Sequence, residues 1–540
     1  MIPSLAYPHC YVDIYPFEGG VYTIQGDSGG LLSCQVTSSV RSGGGFTLVL
    51  APGGPFGPNT SPQWTEVLTP MSLVVIGMQR AGRAQVVMVG VVRNAAESEV
   101  WMAGAGVQRQ IVVSGADFGY FFQMQNYYTQ ALLNASAGSA LGVVQSLSVL
   151  DQGLVSGTPD SIGSAWYNDI MAGPKSIMAK TSFSYQGSRP SFYDLVATYF
   201  QPYTDISLRI PLGDNFMCAD GTWMDKFREL FPFPWYEFFI VTAPTGTYQG
   251  GSPNVAINLS VPGFIPANPQ MVARVNPLPW AKNVAQSIDN PQFQMDFSKW
   301  DLLPQYTLDV MTPISQQLVF DDSEVRNFYV VNTKWVSNLI GVTNNSQTPF
   351  TWLFSSWIDT ASIHRYGYRP DISELHWFTD IDGSQAKGYQ AGGGGITPFE
   401  LAVGNIALKK TSYHEPTPLM ARGQITTNLR PDIIPGNRFV FQPRKEISLW
   451  EFYIDDVTHS YQFGSVSTTT LSLSRGLPQT VYGDENLMLA LHTGNDMRKD
   501  GQYTQGIPAA LGSGIQPLNF RNSSSVIGDV AQVFAVPGAK

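Results

Sequence analysis

Between residues 11 and 113 the chain is a series of short apolar or alternating runs, cut at close intervals by glycine and proline: YVDIY, VYTIQ, FTLVL, MSLVVIGM, QVVMVGVV and VQRQIVV. Within 46–50, Phe46, Leu48 and Leu50 share one face while Thr47 and Val49 share the other, the two-residue period of a strand. Runs this short with turns this frequent predict an antiparallel barrel or sandwich. The segment 51–63, APGGPFGPNTSPQ, holds four Pro and three Gly. It cannot pair regularly and is expected to be a long loop between strands, of the kind that serves as a contact surface or ends in a disordered tip.

The period then changes. Ser114 and Asp117 have capping-box spacing, with Asp in place of Glu, and Phe118, Phe121, Phe122, Gln125, Tyr128 and Leu132 follow at helical intervals. A second helix is predicted after Pro190, where Phe192, Leu195, Val196, Tyr199 and Phe200 fall on one stripe and Pro202 stops it. A third runs from about Thr222, with Trp223, Phe227 and Leu230 on one face and Pro232 ending it. Residues 250–300 are Pro- and Asn-rich and carry little periodicity. From Ile425 the strand signal returns. A Pro435-Gly436-Asn437 turn precedes RFVFQ. Trp450, Phe452 and Ile454 then share a face of WEFYIDDVTHSY, and STTTLSLS follows a turn at Gly464, with Arg475-Gly476 closing it.

Composition narrows the function. Charged residues are 13% of the 540, against about 25% in an ordinary soluble domain. Aromatics at 12% are too many for a disordered chain. The net charge of -10, with no block of Lys or Arg, offers no patch for sequence-specific nucleic-acid binding. The apolar runs 71–78 and 86–92 are too short to span a bilayer. The N-terminus lacks the features of a signal peptide, and Cys10, Cys34 and Cys218 cannot make a disulfide framework. Synthesis in a reducing cytoplasm is expected, which leaves the sequons at Asn59, Asn134, Asn258, Asn344 and Asn522 as chance matches.

No motif assembles a catalytic constellation. Gly26-Asp27-Ser28-Gly29-Gly30 matches the string around a trypsin-like nucleophile, but only His9 precedes it and there is no room for a first barrel, so a tight turn is expected. His414-Glu415 lacks the second His of a zinc helix and is followed by Pro416 and Pro418. Asp380-Ile-Asp382-Gly383 lacks the later ligands of a calcium loop. Asp321-Asp322 and Asp455-Asp456 are neighbours whose side chains should point apart in a strand, so solvated or capping roles are expected. The four glycines 392–395 have no following Lys-Ser/Thr and read as a hinge. PFPWYEFF at 232–239 has no flanking cations for base stacking and reads as core. No catalytic, cofactor-binding or metal residue is assigned, and no cofactor.

The closing strands carry a resemblance. Pro435-Gly436, Trp450-Glu-Phe-Tyr453-Ile454, Val457-Thr-His459-Ser460 and Thr468-Thr-Thr470-Leu471-Ser-Leu473-Ser-Arg475-Gly476 resemble the baseplate or tail hub proteins of tailed phages. This is the late-control-D-like family, whose fold is shared with the N-terminal part of type VI secretion spike proteins. The stretch from Arg109 to Asp117 looks like the family's first barrel handing over to its helical domain. Gly221-Thr222-Trp223 through Ile240 looks like its helix and edge strand, and the patches at 321–330 and 365–367 also look like hub proteins.

The resemblance implies a mainly β chain with two tube-like antiparallel barrels and a helical or mixed insertion. Residues 1–115 would form the first barrel, 116–245 a helical aromatic-rich insertion, and 246–424 a mixed α+β region with Pro/Gly-rich loops. The closing strands of the second barrel would fall at 425–480 and a C-terminal extension at 481–540. It further implies a non-enzymatic virion protein of the tail tip. In this reading a homotrimeric, pseudo-sixfold ring joins a hexameric tail tube or distal tail protein to a trimeric central spike or fibre, contacts other baseplate proteins and lets DNA pass. A phage-borne carbohydrate-active enzyme, with paired carboxylates in a cleft, and another virion shell protein are the alternatives.

Overall fold

The computed structural model describes residues 8–16, 20–26, 30–57, 60–102, 106–127, 154–157, 163, 201–205, 212–217, 221–231, 233, 236–244, 247, 263–277, 298–308, 313–333, 353–375, 420–443, 446, 448–479 and 515–517. The protein is mainly β. Seven strands form its first half: β1 (His9–Tyr15), β2 (Tyr22–Gln25), β3 (Leu31–Ser39), β4 (Gly45–Leu50), β5 (Leu73–Arg80), β6 (Arg83–Met102) and β7 (Gly106–Asp117). Their order in the sheet is β2-β1-β5-β6-β7-β4-β3, all antiparallel.

All seven strands feed one core, including Val12, Ile24, Cys34, Leu48, Ile76, Val87 and Val113, which requires the sheet to curl into a barrel. The Cys10 thiol on β1 hydrogen-bonds Cys34 on β3, although those strands are not sheet neighbours; burial, with that bond, pushes the Cys10 thiol well above its usual range. The loop 51–63 leads into a short helix, α1 (Trp64–Val67), whose Trp64 and Val67 plug the same core.

The second half is built on β8 (Gln305–Thr307), β9 (Pro313–Val319), β10 (Ala421–Asn428), β11 (Arg438–Phe441), β12 (Trp450–Gln462) and β13 (Thr468–Pro478). The order β9-β10-β13-β12 is antiparallel, and β11 pairs both β12 and β8. Phe439, Phe441, Trp450, Phe452, Ile454, Leu471 and Leu473 make its core. The face predicted for Trp450, Phe452 and Ile454 is therefore the buried one.

The two halves are one sheet because β12 has two partners along one edge. Its first part pairs β11 through Trp450–Tyr453, and its second part pairs β3 through Asp456–Gln462. A bulge between Ile454 and Asp456 separates the two parts. Phe452 and Ile454 before the bulge and Val457 after it lie in the second core, while Tyr461, further along, lies in the first.

Strands that belong to neither half but pack behind the junction form a smaller sheet: Tyr236–Pro244 and Ala267–Val275 pair antiparallel, and Gln201–Asp205 pairs Ala267–Val275 in parallel. Tyr236–Pro244 is buried on both faces, which explains its continuous apolar run. On one face, Phe238 stacks on Phe227 of helix α3 (Trp223–Leu230), with ring centroids 5.2 Å apart, and Phe122 of α2 (Gly119–Met124) packs edge-on. On the other face, Phe239, Val241 and Ala243 meet Val40, Trp300, Ile434 and Tyr453 at the junction.

Several expectations are corrected. Ser114 starts no helix: β7 continues to Asp117, with Ser114 paired to Thr47, and α2 is only six residues long. Pro202 lies within a parallel strand. Arg475-Gly476 does not close β13, which runs on to Pro478, and Arg475 takes a positive φ of 56° within it. Helix α3 forms as its spacing predicts, with Thr222 accepting the Asp225 backbone N–H at 3.2 Å and the Asp225 carboxylate accepting from the Thr222 N–H. The predicted 190–200 helix, the glycines 392–395 and nearly all of 481–540 lie outside the described residues.

Each half packs an aromatic ring directly over a glycine of the neighbouring strand: Phe46 over Gly115 and Phe452 over Gly476. A Cβ on either glycine would collide with the ring. Gly115→Ala should cost ~1–3 kcal/mol, as overpacking does, and Phe46→Leu in the same chain should recover part of it, read from denaturant midpoints at constant slope.

Candidate functional site

The point where the smaller sheet meets the junction is held by charge. Glu237 stands on Tyr236–Pro244, Arg274 on Ala267–Val275, Tyr453 on β12 and Arg475 on β13, and the side chains of Glu237, Arg274 and Arg475 are 3%, 6% and 4% exposed. Arg274 donates through Nε and Nη2 to Glu237 Oε2 at 3.1 and 3.0 Å. Tyr453 Oη donates to the same oxygen at 2.6 Å, and Arg475 Nη2 donates to Oε1 at 3.0 Å. Arg475 Nη1 donates to the Pro277 carbonyl at 2.7 Å, and its guanidinium lies 4.0 Å over the Tyr453 ring. Burial alone would raise the Glu237 pKa, but the charges of Arg274 and Arg475 and the Tyr453 hydroxyl outweigh it and hold the carboxylate ionised. One carboxylate thus ties its own strand to three others, Ala267–Val275, β12 and β13.

On the other side of Arg475 opens a cleft of about 430 Å³, lined by Arg41, Asp321, Glu324, Arg422, Asp455, Asp456, Ser472 and Arg475 among others. Asp455 and Asp456 were expected to point apart; the bulge after Ile454 instead lets both line this cleft. Burial pushes the Asp455 pKa up, opposed by Arg41 and Arg475, and Asp456 raises it further. Arg422 pairs with Asp321 and, at 3.3 Å, with Glu324; Arg41 reaches Glu324 at 3.5 Å and Asp455 at 3.8 Å. Asp321 also accepts the Ser323 N–H at 2.9 Å, a capping role, and Asp322 pairs with Arg369.

A third polar joint ties the first barrel to α2. The buried Asp117 carboxylate accepts the Gly44 N–H at 2.6 Å and the Gly119 N–H at 2.9 Å. Burial, only partly opposed by those two bonds, pushes its pKa up to about 7. Buried His459, within hydrogen-bond reach of the Thr469 hydroxyl at 2.9 Å, is pushed down to about 4 by burial, against the Asp432 charge and a bond with the Ile433 backbone.

Of the other motifs, Tyr236, Phe238 and Phe239 of 232–239 are core, whereas Phe233 is exposed beneath the Arg41 guanidinium. Asp27-Ser28-Gly29, Asp380-Gly383, His414-Glu415 and the asparagines of the five sequons lie outside the described residues. Among the described residues no group of three or more His, Cys, Asp or Glu could hold a metal ion, and no helix is long and apolar enough to cross a membrane. The Glu237 clamp escaped sequence reading because its residues are spread over 238 positions; the one local signal is a lone Glu inside a continuous apolar run.

No protein-family model matches the sequence, and no curated protein sequence matches it. Among solved structures the chain is similar to a 43 kDa tail protein of prophage MuSo2 from Shewanella oneidensis, with 10% identity, a TM-score of 0.40, and coverage of 89% of this chain and 98% of that one. It is similar to a tail protein from Neisseria meningitidis MC58 at 9% identity and a TM-score of 0.41, covering 86% and 96%. It is also similar to an E. coli type VI secretion component, itself described as similar to T4 phage tail proteins, at 10% identity and a TM-score of 0.34, covering 83% and 73%.

Replacing Glu237 by Gln leaves two buried guanidiniums against a neutral group and should cost ~3–5 kcal/mol in a denaturant titration. A second expectation concerns pH. His459 has a folded pKa of about 4 against 6.5 unfolded, so its contribution is present above 6.5 and is lost as pH falls toward 4. Asp117, raised from 3.8 to about 7, acts oppositely: its contribution is present below 3.8 and is lost as pH rises toward 7. In thermal melts from pH 4 to 8, His459→Gln should flatten the acid limb and Asp117→Asn the neutral one.

Proposed function

We propose that this chain is a structural protein of a phage tail, a baseplate hub whose copies form a ring around the path of the DNA. The observation that carries this reading is the continuous sheet in which two barrel-like halves are joined edge to edge through β12 and β3. A chain that presents two such lobes needs only three copies to present six. It can therefore match a sixfold tail tube on one side and a threefold spike or fibre on the other, and closed rings follow from such head-to-tail contacts. The hub-like patches of the closing strands fall on this junction: Tyr453 and Arg475 belong to the clamp, and His459 to the stretch paired with β3.

A structural role also suits the cleft. A glycoside hydrolase would need two carboxylates available to a sugar, whereas Asp321, Glu324 and Asp455 each lie against a guanidinium. The net charge of -10 supports a wall that repels DNA during passage. Tube or distal tail protein, spike or fibre, and other baseplate proteins are the partners of this reading, and the virion tail tip its location.

Light scattering and single-particle imaging of the purified protein should give about three times 59.1 kDa and six lobes around a hole. A single chain at every concentration, with hydrolysis of a polysaccharide, would instead favour an enzyme.

A further inference from the structure

Two elements of the sheet have an edge that no other strand among the described residues pairs. The first is the hairpin of β6 and β7. Strand β5 pairs β6 only from Arg83 to Val91, and β4 pairs β7 only from Ile111 to Ala116. The five pairs from Ser98↔Gln110 to Met102↔Gly106 therefore bond only to each other among the described residues. They form an arm reaching about 17 Å past the barrel at ~3.4 Å per residue. A lone two-stranded ribbon is marginal in water, and its Glu99–Arg109 pair, exposed at 53% and 61%, adds little.

The second is β9, at the end of the sheet path. Among the described residues only β10 pairs it, on one side, and its stretch Ser315–Val319 carries no charge. Ile314, Val319 and Phe320 stand 49%, 41% and 56% exposed along it. A strand edge that must stay alone is normally blunted by a charge, a proline or a bulge aimed outward; Pro313 and the register shift before Ser315 mark the start of β9, and Ser315–Val319 beyond them has none of the three.

In its own chain the arm does not pair β9: among the described residues β9, the first strand of the path, pairs only β10, and the arm of β6, the eighth, pairs only β7. Every neighbouring pair on that path is antiparallel, so the eighth and first strands run in opposite directions. A copy related by rotation about an axis along the strands therefore presents β6 antiparallel to β9, the favoured pairing. Strand β2, the eleventh and only four residues long, would arrive parallel. We propose that Ser315–Val319 of one copy accepts the outer β6 edge of the arm of the next copy as an added antiparallel strand, an inference that rests on the ring reading above.

The test uses the full chain and two variants: the double substitution Ile314→Lys with Val319→Lys, and a shortened arm in which Asn-Gly joins Ser98 to Gln110, which are register partners. Mass by light scattering is followed across concentration, with thermal melts to show that the variants fold. Deuterium exchange at amides 315–319 of the unaltered protein is measured in parallel. Expected is an assembly near three chains in the unaltered protein, at least tenfold weaker association in both variants with unchanged melting, and exchange at 315–319 that slows on assembly. If the unaltered protein assembles but either variant assembles equally well, or 315–319 exchanges at the single-chain rate in the assembly, this inference falls and the ring reading stands. If the unaltered protein stays a single chain at every concentration, both fall.

Discussion

The large sheet is organised around one strand that has two partners on one edge. Strand β12 begins beside β11, steps through a bulge at Ile454 and Asp456, and ends beside β3. The bulge shifts the two-residue period by one, so that Phe452 and Ile454 before it and Val457 and Tyr461 after it face the same side, the first three in the second core and Tyr461 in the first. The same step brings Asp455 and Asp456 to one cleft, while Tyr453, just before it, reaches Glu237 with its hydroxyl. A one-residue irregularity thus lies where the strand passes from one half to the other.

The Glu237 clamp shows why that smaller sheet is not a loose appendage. Apolar packing against Val40, Trp300 and Tyr453 supplies area but little direction. Two guanidiniums and a phenol converging on one carboxylate supply direction, because any sliding of the sheet would strand a buried charge. The clamp is less a source of stability than a constraint on register between the two layers.

Sequence legibility followed the range of the interactions. The strands of 11–113 and helix α3 were readable because period-two alternation and the Thr222/Asp225 box are local signals. Ser114 misled because its spacing to Asp117 imitates a capping box, whereas Asp117 caps the next turn through Gly119 and reaches across to Gly44. Arg475-Gly476 reads as a turn for a sound reason: Arg475 does have a positive φ, but the bond to Glu237 and the ring of Phe452 over Gly476 keep the strand going. The joining of β3 to β12, and the clamp itself, depend on residues hundreds of positions apart, and no local pattern encodes them.

That separation has a consequence during synthesis. Thr37 of β3 meets Thr458 of β12 across 421 positions. At ~5–20 residues per second on the ribosome, the outer edge of β3 waits about 20–80 s for its partner. Through that interval the first barrel is an almost finished sheet with one adhesive side, able to capture the β12 of another nascent chain. The edge that unites the two halves in the finished protein is therefore also where newly made copies are most exposed to entanglement, and where a chaperone would have most to shield.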